Sequence, residues 1–178
     1  MRVIQNFLII FLMFFTIVHT QPLLFKTMHG KTLSGQKVRL PDYFSNRITL
    51  VAFGFDRKHQ SKIDQVMQPF ITRYQNRDSI FYLEIPMIGP AFSWFASFIE
   101  NGMKKGIPNA FHPHTMSYYQ DLKPYLTYYD IKNKDEPFFI LVNQQNQIIW
   151  QHRGHLTPAN QKKLFSLCDQ KLEDHYVK

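Results

Sequence analysis

The chain has 178 residues, of which 44% are apolar and 16% aromatic, and its formal net charge is +8. This composition excludes a disordered chain and suffices for one globular domain with a full core. The single cysteine, Cys168, excludes an intramolecular disulfide and any two-cysteine motif. The basic residues are scattered and no nucleic-acid motif accompanies them, so we predict no nucleic-acid partner.

Residues 1–20 resemble a secretory leader. Arg2 precedes a mostly apolar run from Phe7 to Val18, which is shorter than the roughly 20 apolar residues of a membrane span. We therefore predict a signal peptide or, alternatively, an uncleaved membrane anchor at 1–20, followed by a single domain over 21–178. Export predicts a periplasmic domain, or a membrane-anchored domain that faces the periplasm.

The first half of the domain predicts strands around one helix. The glycine-punctuated segment 30–44 predicts a short strand pair, and the apolar run 48–55 predicts a central strand covered on both faces. Helical spacing of apolar residues predicts a helix over 58–74, and 79–86 predicts a second strand. Such a βαβ unit is right-handed with parallel strands.

The second half predicts helices and a hairpin. Apolar spacing predicts a helix from Phe92 to Met103, which looks like an insertion, and then a loop through 112–114. A short helix is expected over 121–128, and two apolar runs within 137–150 predict a β-hairpin. Thr157 is the predicted N-cap of a closing helix.

This order resembles the thioredoxin-like fold, an α/β fold with a βαβ unit, a β-hairpin and a C-terminal helix. Here a helical insertion connects the βαβ unit to the hairpin, and a central mixed sheet is flanked by helices. Segment 33–42 resembles the lead-in of exported thioredoxin-like proteins, and Pro137 stands where they have a cis-proline. Lys58 and Ser61 stand where thioredoxins have Cys-x-x-Cys, and Lys58 and Lys62 match the Cys-x-x-x-Cys of Sco-type copper chaperones. The resemblance therefore implies the fold without thiol redox or copper(I)-thiolate chemistry.

Within this class the chain is most similar to the mitochondrial ATP-synthase assembly factor family. The motifs that carry the similarity lie at 50–55, 82–86, 102–108 and 139–154. The similarity implies a chaperone-like assembly factor with a protein client, possible association with a membrane surface, no cofactor and no enzymatic activity. The leader places this form of the family outside the cytoplasm, in a bacterium.

A basic edge follows the central strand, at the start of the first helix. Arg57, Lys58 and His59 are partner-binding candidates there, together with Pro137 before the hairpin. His59 has no nucleophile beside it, so we predict a solvated side chain rather than a catalytic base. No catalytic residue is predicted.

The insertion helix supplies the other partner-binding candidates. Its phenylalanines share one face and are most simply part of the core, whereas Trp94 lies off that face. Alternatively, Trp94 and Phe98 beside Lys104 and Lys105 form a surface for a partner or a membrane.

Two alternative functions remain open. His112, His114 and Met116 are weak metal-ligand candidates that a Sco-like metal chaperone would use, although an exposed loop is the simpler interpretation, and we predict no metal. A thioredoxin- or peroxiredoxin-like oxidoreductase with unrecognised activity is the other alternative. Cys168 is expected to be a small buried side chain rather than a reactive thiol.

Overall fold

The computed structural model describes residues 21–176, so the predicted leader at 1–20 lies outside the described residues. Within this range, no helix is both long enough and apolar enough to cross a bilayer. The strands are β1 Met28–Thr32, β2 Lys37–Leu40, β3 Ile48–Gly54, β4 Ile80–Pro86, β5 Met116–Ser117, β6 Phe138–Val142 and β7 Ile148–Arg153. The α-helices are α1 Gln60–Tyr74, α2 Ala96–Gly106, α3 Lys123–Tyr128 and α4 Pro158–Tyr176.

The central sheet has the order β4-β3-β6-β7. β3 pairs in parallel with β4 and antiparallel with β6, and β6 pairs antiparallel with β7. These pairings confirm the predicted βαβ unit and hairpin. Both faces of β3 are covered, because Leu50 and Ala52 pack under α1 and α4 while Val51 and Phe53 pack on the opposite side. This explains the unbroken apolar run of the strand.

A second, small sheet has the order β2-β1-β5. The pair β1–β2 was predicted, whereas β5 was not, since two residues give no periodic signal. Isolated bridges from Thr115 to Glu84 and from Tyr118 to Met87 join the chain around β5 to the outer edge of β4. At the other end of the central sheet, Leu24 pairs with Gln147 beside the β6–β7 turn.

Two local predictions were wrong. The insertion helix is a 3-10 turn over Pro90–Phe95 followed by α2, and the expected loop is a 3-10 turn over Asn109–His114. Tight turns of this kind are common where helices begin. The sequence left the isomer of the Glu136–Pro137 bond open; this bond is not cis, and the cis bond among the described residues is Leu40–Pro41.

Candidate partner-binding groove

A groove of about 700 Å³ lies at the carboxyl ends of β3 and β4. It is bounded by the turn before α1 on one side and by α2 on the other. Crevices form at this end of parallel strands because the connections diverge there. Most of its lining is apolar, including Phe55, Ile63, Met87, Phe92, Ile99 and Met103.

The polar residues of the groove come from the turn before α1, from the first residue of α1, Gln60, and from β4. Asp56 caps the turn by accepting a 2.9 Å hydrogen bond from the Lys58 backbone N–H, and this bond lowers the pKa of its carboxyl. Arg57 lines the groove, whereas Lys58 is exposed and pairs with Asp56 at 3.8 Å. Glu84 is half-buried, and burial raises the pKa of its carboxyl.

His59 is buried, with 1% of its surface exposed, so the prediction of a solvated side chain was wrong. Its Nδ1 accepts a hydrogen bond from the Phe55 N–H at 3.3 Å, and its Nε2 lies 2.9 Å from the Asp135 carbonyl oxygen. Since Nδ1 accepts, Nε2 carries the proton and donates it. Nε2 therefore holds the start of α1 against the loop before β6, while Nδ1 fixes the turn that follows β3.

An ion pair reinforces the same contact. The Lys62 ammonium lies 2.6 and 2.7 Å from the two carboxylate oxygens of Glu136, and this hydrogen bonding lowers the pKa of Glu136. Pro137, the next residue, is buried, and its carbonyl accepts a 2.9 Å bond from Gly154. Lys62, which the resemblance matches to the second cysteine of the Sco-type motif, is thus paired with Glu136.

The aromatic residues around the start of α2 are not part of the core, contrary to the simplest prediction. Trp94 and Phe98 are each 80% exposed, and Phe92 and Phe95 are 53% and 47% exposed. The Trp94 and Phe95 rings lie 4.4 Å apart, and the indole N–H donates to the Ala91 carbonyl. Helical spacing identified an apolar face, but no other described element covers it.

α2 is attached through its other side. Ile99 and Met103 are half-buried and line the groove. Gly102 and Gly106 also line it, and a Cβ added at either glycine would meet no atom within 4 Å. Of the two predicted lysines on α2, Lys104 is half-buried and Lys105 is exposed, and neither lines the groove.

The weak metal candidates do not form a site. One ring nitrogen of each histidine, Nε2 of His112 and Nδ1 of His114, hydrogen-bonds to the backbone carbonyls of Ile107 and Tyr82, each at 2.9 Å. Met116 is fully buried, so the exposed-loop interpretation was also wrong. Within the described part of the chain, no group of three or more His, Cys, Asp or Glu side chains is arranged to hold a metal ion.

Cys168 is buried on α4 with the apolar residues of that helix, as predicted. Burial raises the pKa of its thiol to about 12. At neutral pH the thiol is therefore almost entirely protonated, and it lacks the thiolate character that redox exchange needs.

Solved structures of known proteins are similar to this chain and identify its fold. No family model matches the chain, and no curated protein matches it. A thiol-disulfide oxidoreductase from Bacteroides fragilis is similar over 83% of this chain and 99% of its own, with 16% identity and a TM-score of 0.54. The exposed lipoprotein thioredoxin Etrx1 of Streptococcus pneumoniae is similar over 82% and 99%, with 12% identity and a TM-score of 0.57.

A third solved structure belongs to an assembly protein. BsSco, a member of the Sco family of cytochrome c oxidase assembly proteins, is similar over 85% of this chain and 95% of its own, with 11% identity and a TM-score of 0.56. The fold is thioredoxin-like.

Two features of this thioredoxin-like domain escaped the sequence analysis. The groove itself was not predicted, because it depends on how α2 is placed against the strand ends. Glu84 was not singled out, although an acidic residue within an apolar strand is a usable signal. Among the predicted candidates, only Arg57 lines the groove, and Trp94 and Phe98 belong to the helix segment that borders it.

Proposed function

We propose that this protein is a redox-inactive thioredoxin-like binding module that holds an apolar segment of a protein client in the groove. The observation that carries the proposal is the exposed aromatic surface of Trp94 and Phe98 beside an apolar groove. Exposed apolar area of this kind is rare on proteins without partners. Few polar groups converge in the groove, which favours a polypeptide over a small polar substrate.

The residues at the positions matched to the cysteines of thioredoxin and Sco-type motifs support a binding role over an enzymatic one. Lys58, Ser61 and Lys62 stand where related folds have cysteines, and Lys62 is engaged with Glu136. Neither an ammonium nor a hydroxyl can take the part of a redox thiol or ligate copper(I) as a thiolate does. Cys168 is too buried to replace them.

The resemblance of four short motifs to those of ATP-synthase assembly factors suggests the class of client. The client is a subunit of a membrane complex, with ATP synthase as the first to test, and the protein acts outside the cytoplasm, as the leader at 1–20 predicts. Two of the similar structures bear compatible names, an exposed lipoprotein thioredoxin and an oxidase assembly protein.

Affinity capture from detergent-solubilised membranes tests this function. The full-length tagged protein is compared with Gly102→Leu/Gly106→Leu, which fills the groove from open positions. The matched control, Ser97→Leu/Asn101→Leu, adds the same side chains at exposed positions of α2 outside the groove. We expect mass spectrometry to identify membrane-complex subunits with the wild type and the control but not with the filled groove. Equal recovery by all three proteins would contradict the proposal.

The alternative is an oxidoreductase that uses the same fold, since one of the similar structures is named a thiol-disulfide oxidoreductase and another a thioredoxin. An insulin-reduction assay decides between them, with Cys168→Ser as the control. The binding function predicts turnover at the buffer background for both proteins. Activity above background that Cys168→Ser removes would favour the oxidoreductase.

A further inference from the structure

β4 contributes a carboxylate, that of Glu84, to the apolar groove. Glu84 lines it together with Phe55 and Ile99. Its carboxylate accepts one hydrogen bond, at 3.3 Å, from the Gln60 amide, which also donates a shorter 2.9 Å bond to Asp64. Since an ionised carboxylate can accept about four hydrogen bonds, the protein uses little of the capacity of Glu84.

The charge of the groove differs from that of the whole protein. Its lining contains two carboxylates, on Asp56 and Glu84, against the single guanidinium of Arg57, whereas the full chain is strongly basic. Among the side chains that the structure describes, none forms an ion pair with Glu84. Asp56, by contrast, is already engaged by Lys58.

From this arrangement we infer that the segment bound in the groove carries a lysine or arginine among apolar residues, and that this cation pairs with Glu84. The inference rests on the proposed function and specifies its ligand. Opposite charges attract more strongly in a partly dehydrated groove than in bulk water. An anionic lipid headgroup would instead meet two carboxylates, so the charge favours a cationic peptide over a membrane surface.

A pair of synthetic peptides tests the inference by fluorescence anisotropy against the full-length protein. One peptide has a single arginine among leucine and phenylalanine residues, and the other has citrulline at that position, which keeps the shape but removes the charge. The variant Glu84→Gln removes the charge of the groove, and Glu173→Gln, at an exposed site on α4, is its control. Thermal melting checks that each variant is folded.

We expect the wild type and Glu173→Gln to bind the arginine peptide about tenfold more tightly than the citrulline peptide. In Glu84→Gln the ratio of the two affinities should fall to about one. Reversing both charges gives an independent measurement, because Glu84→Lys should prefer a peptide with glutamate in place of arginine.

The peptide experiment distinguishes a failure of the Glu84 pairing from a failure of the proposed binding in the groove. If both peptides bind equally well and Gly102→Leu/Gly106→Leu abolishes both, the role of Glu84 is overturned and the groove function stands. If neither peptide binds, both are overturned, and binding to phosphatidylglycerol vesicles in the same experiment would identify a lipid surface instead.

Discussion

The turn before α1 has two sides, and they differ in how many of their polar side chains are hydrogen-bonded or ion-paired within the protein. On one side, His59 hydrogen-bonds to Asp135 and Lys62 pairs with Glu136, so the polar groups of both side chains are engaged by the loop before β6. On the other side, the groove leaves Glu84 poorly paired beside exposed aromatic rings. The fold can therefore fix the position of this turn firmly and still leave the adjoining surface available for a partner.

The largest effect is expected from His59→Ala. The change leaves the Phe55 N–H and the Asp135 carbonyl without their partner and opens a cavity, so we expect the free energy of unfolding to fall by about 3 kcal/mol. Urea denaturation measures this loss, with exposed His29→Ala as the control. A loss no larger than that of the control would show that the paired side does not hold the turn.

The two sides should respond to pH with opposite signs. Burial raises the folded pKa of Glu84, so its stabilising contribution is present below its unfolded pKa of about 4.3 and is lost as pH rises through the folded value. Lys62 lowers the folded pKa of Glu136, so that contribution is present above the unfolded pKa and is lost as pH falls through the folded value. Glu84→Gln should therefore stabilise the protein at pH 7, and Glu136→Gln should destabilise it.

Urea denaturation at neutral and acidic pH measures both variants against the wild type. Each difference in the free energy of unfolding should shrink as the solution is acidified, because the carboxyl then becomes neutral in the wild type as well. The same sign for both variants at pH 7 would contradict the contrast between the two sides.

The smallest effect on stability is expected from Trp94→Ser/Phe98→Ser. Both side chains are 80% exposed, so the free energy of unfolding should change by no more than about 0.5 kcal/mol per site, while client capture weakens. Thermal melting and the capture experiment measure the two quantities on one preparation. Unfolding of the double variant would restore the core interpretation of these residues.

The sheet and its main helices could be predicted from local patterns, namely short unbroken apolar runs for buried strands and helical spacing of apolar residues for helices. β3, α1 and the β6–β7 hairpin are examples, and Thr157 caps α4 as its sequence position indicates, through a 3.3 Å bond from the Asn160 N–H. These features depend on residues close together in the chain.

The site was less predictable because its features depend on distant residues. The burial of His59 requires Asp135, which lies 76 positions away. The helical spacing of Phe92, Phe95 and Phe98 is the same whether or not another element covers them. Sequence periodicity identifies an apolar face, but only the tertiary arrangement decides whether that face is core or surface.

The bridge between Leu24 and Gln147 has a consequence for how the domain would stand on a membrane. It places the N-terminal end of the described chain beside the β6–β7 turn, at the same end of the sheet as the start of β3, whereas the groove lies past Gly54 at the end of that strand. Seven residues of strand at about 3.3 Å each separate the two ends by about 20 Å. The uncleaved anchor that the sequence allows at 1–20 would therefore join the domain at the end of the central sheet opposite to the groove.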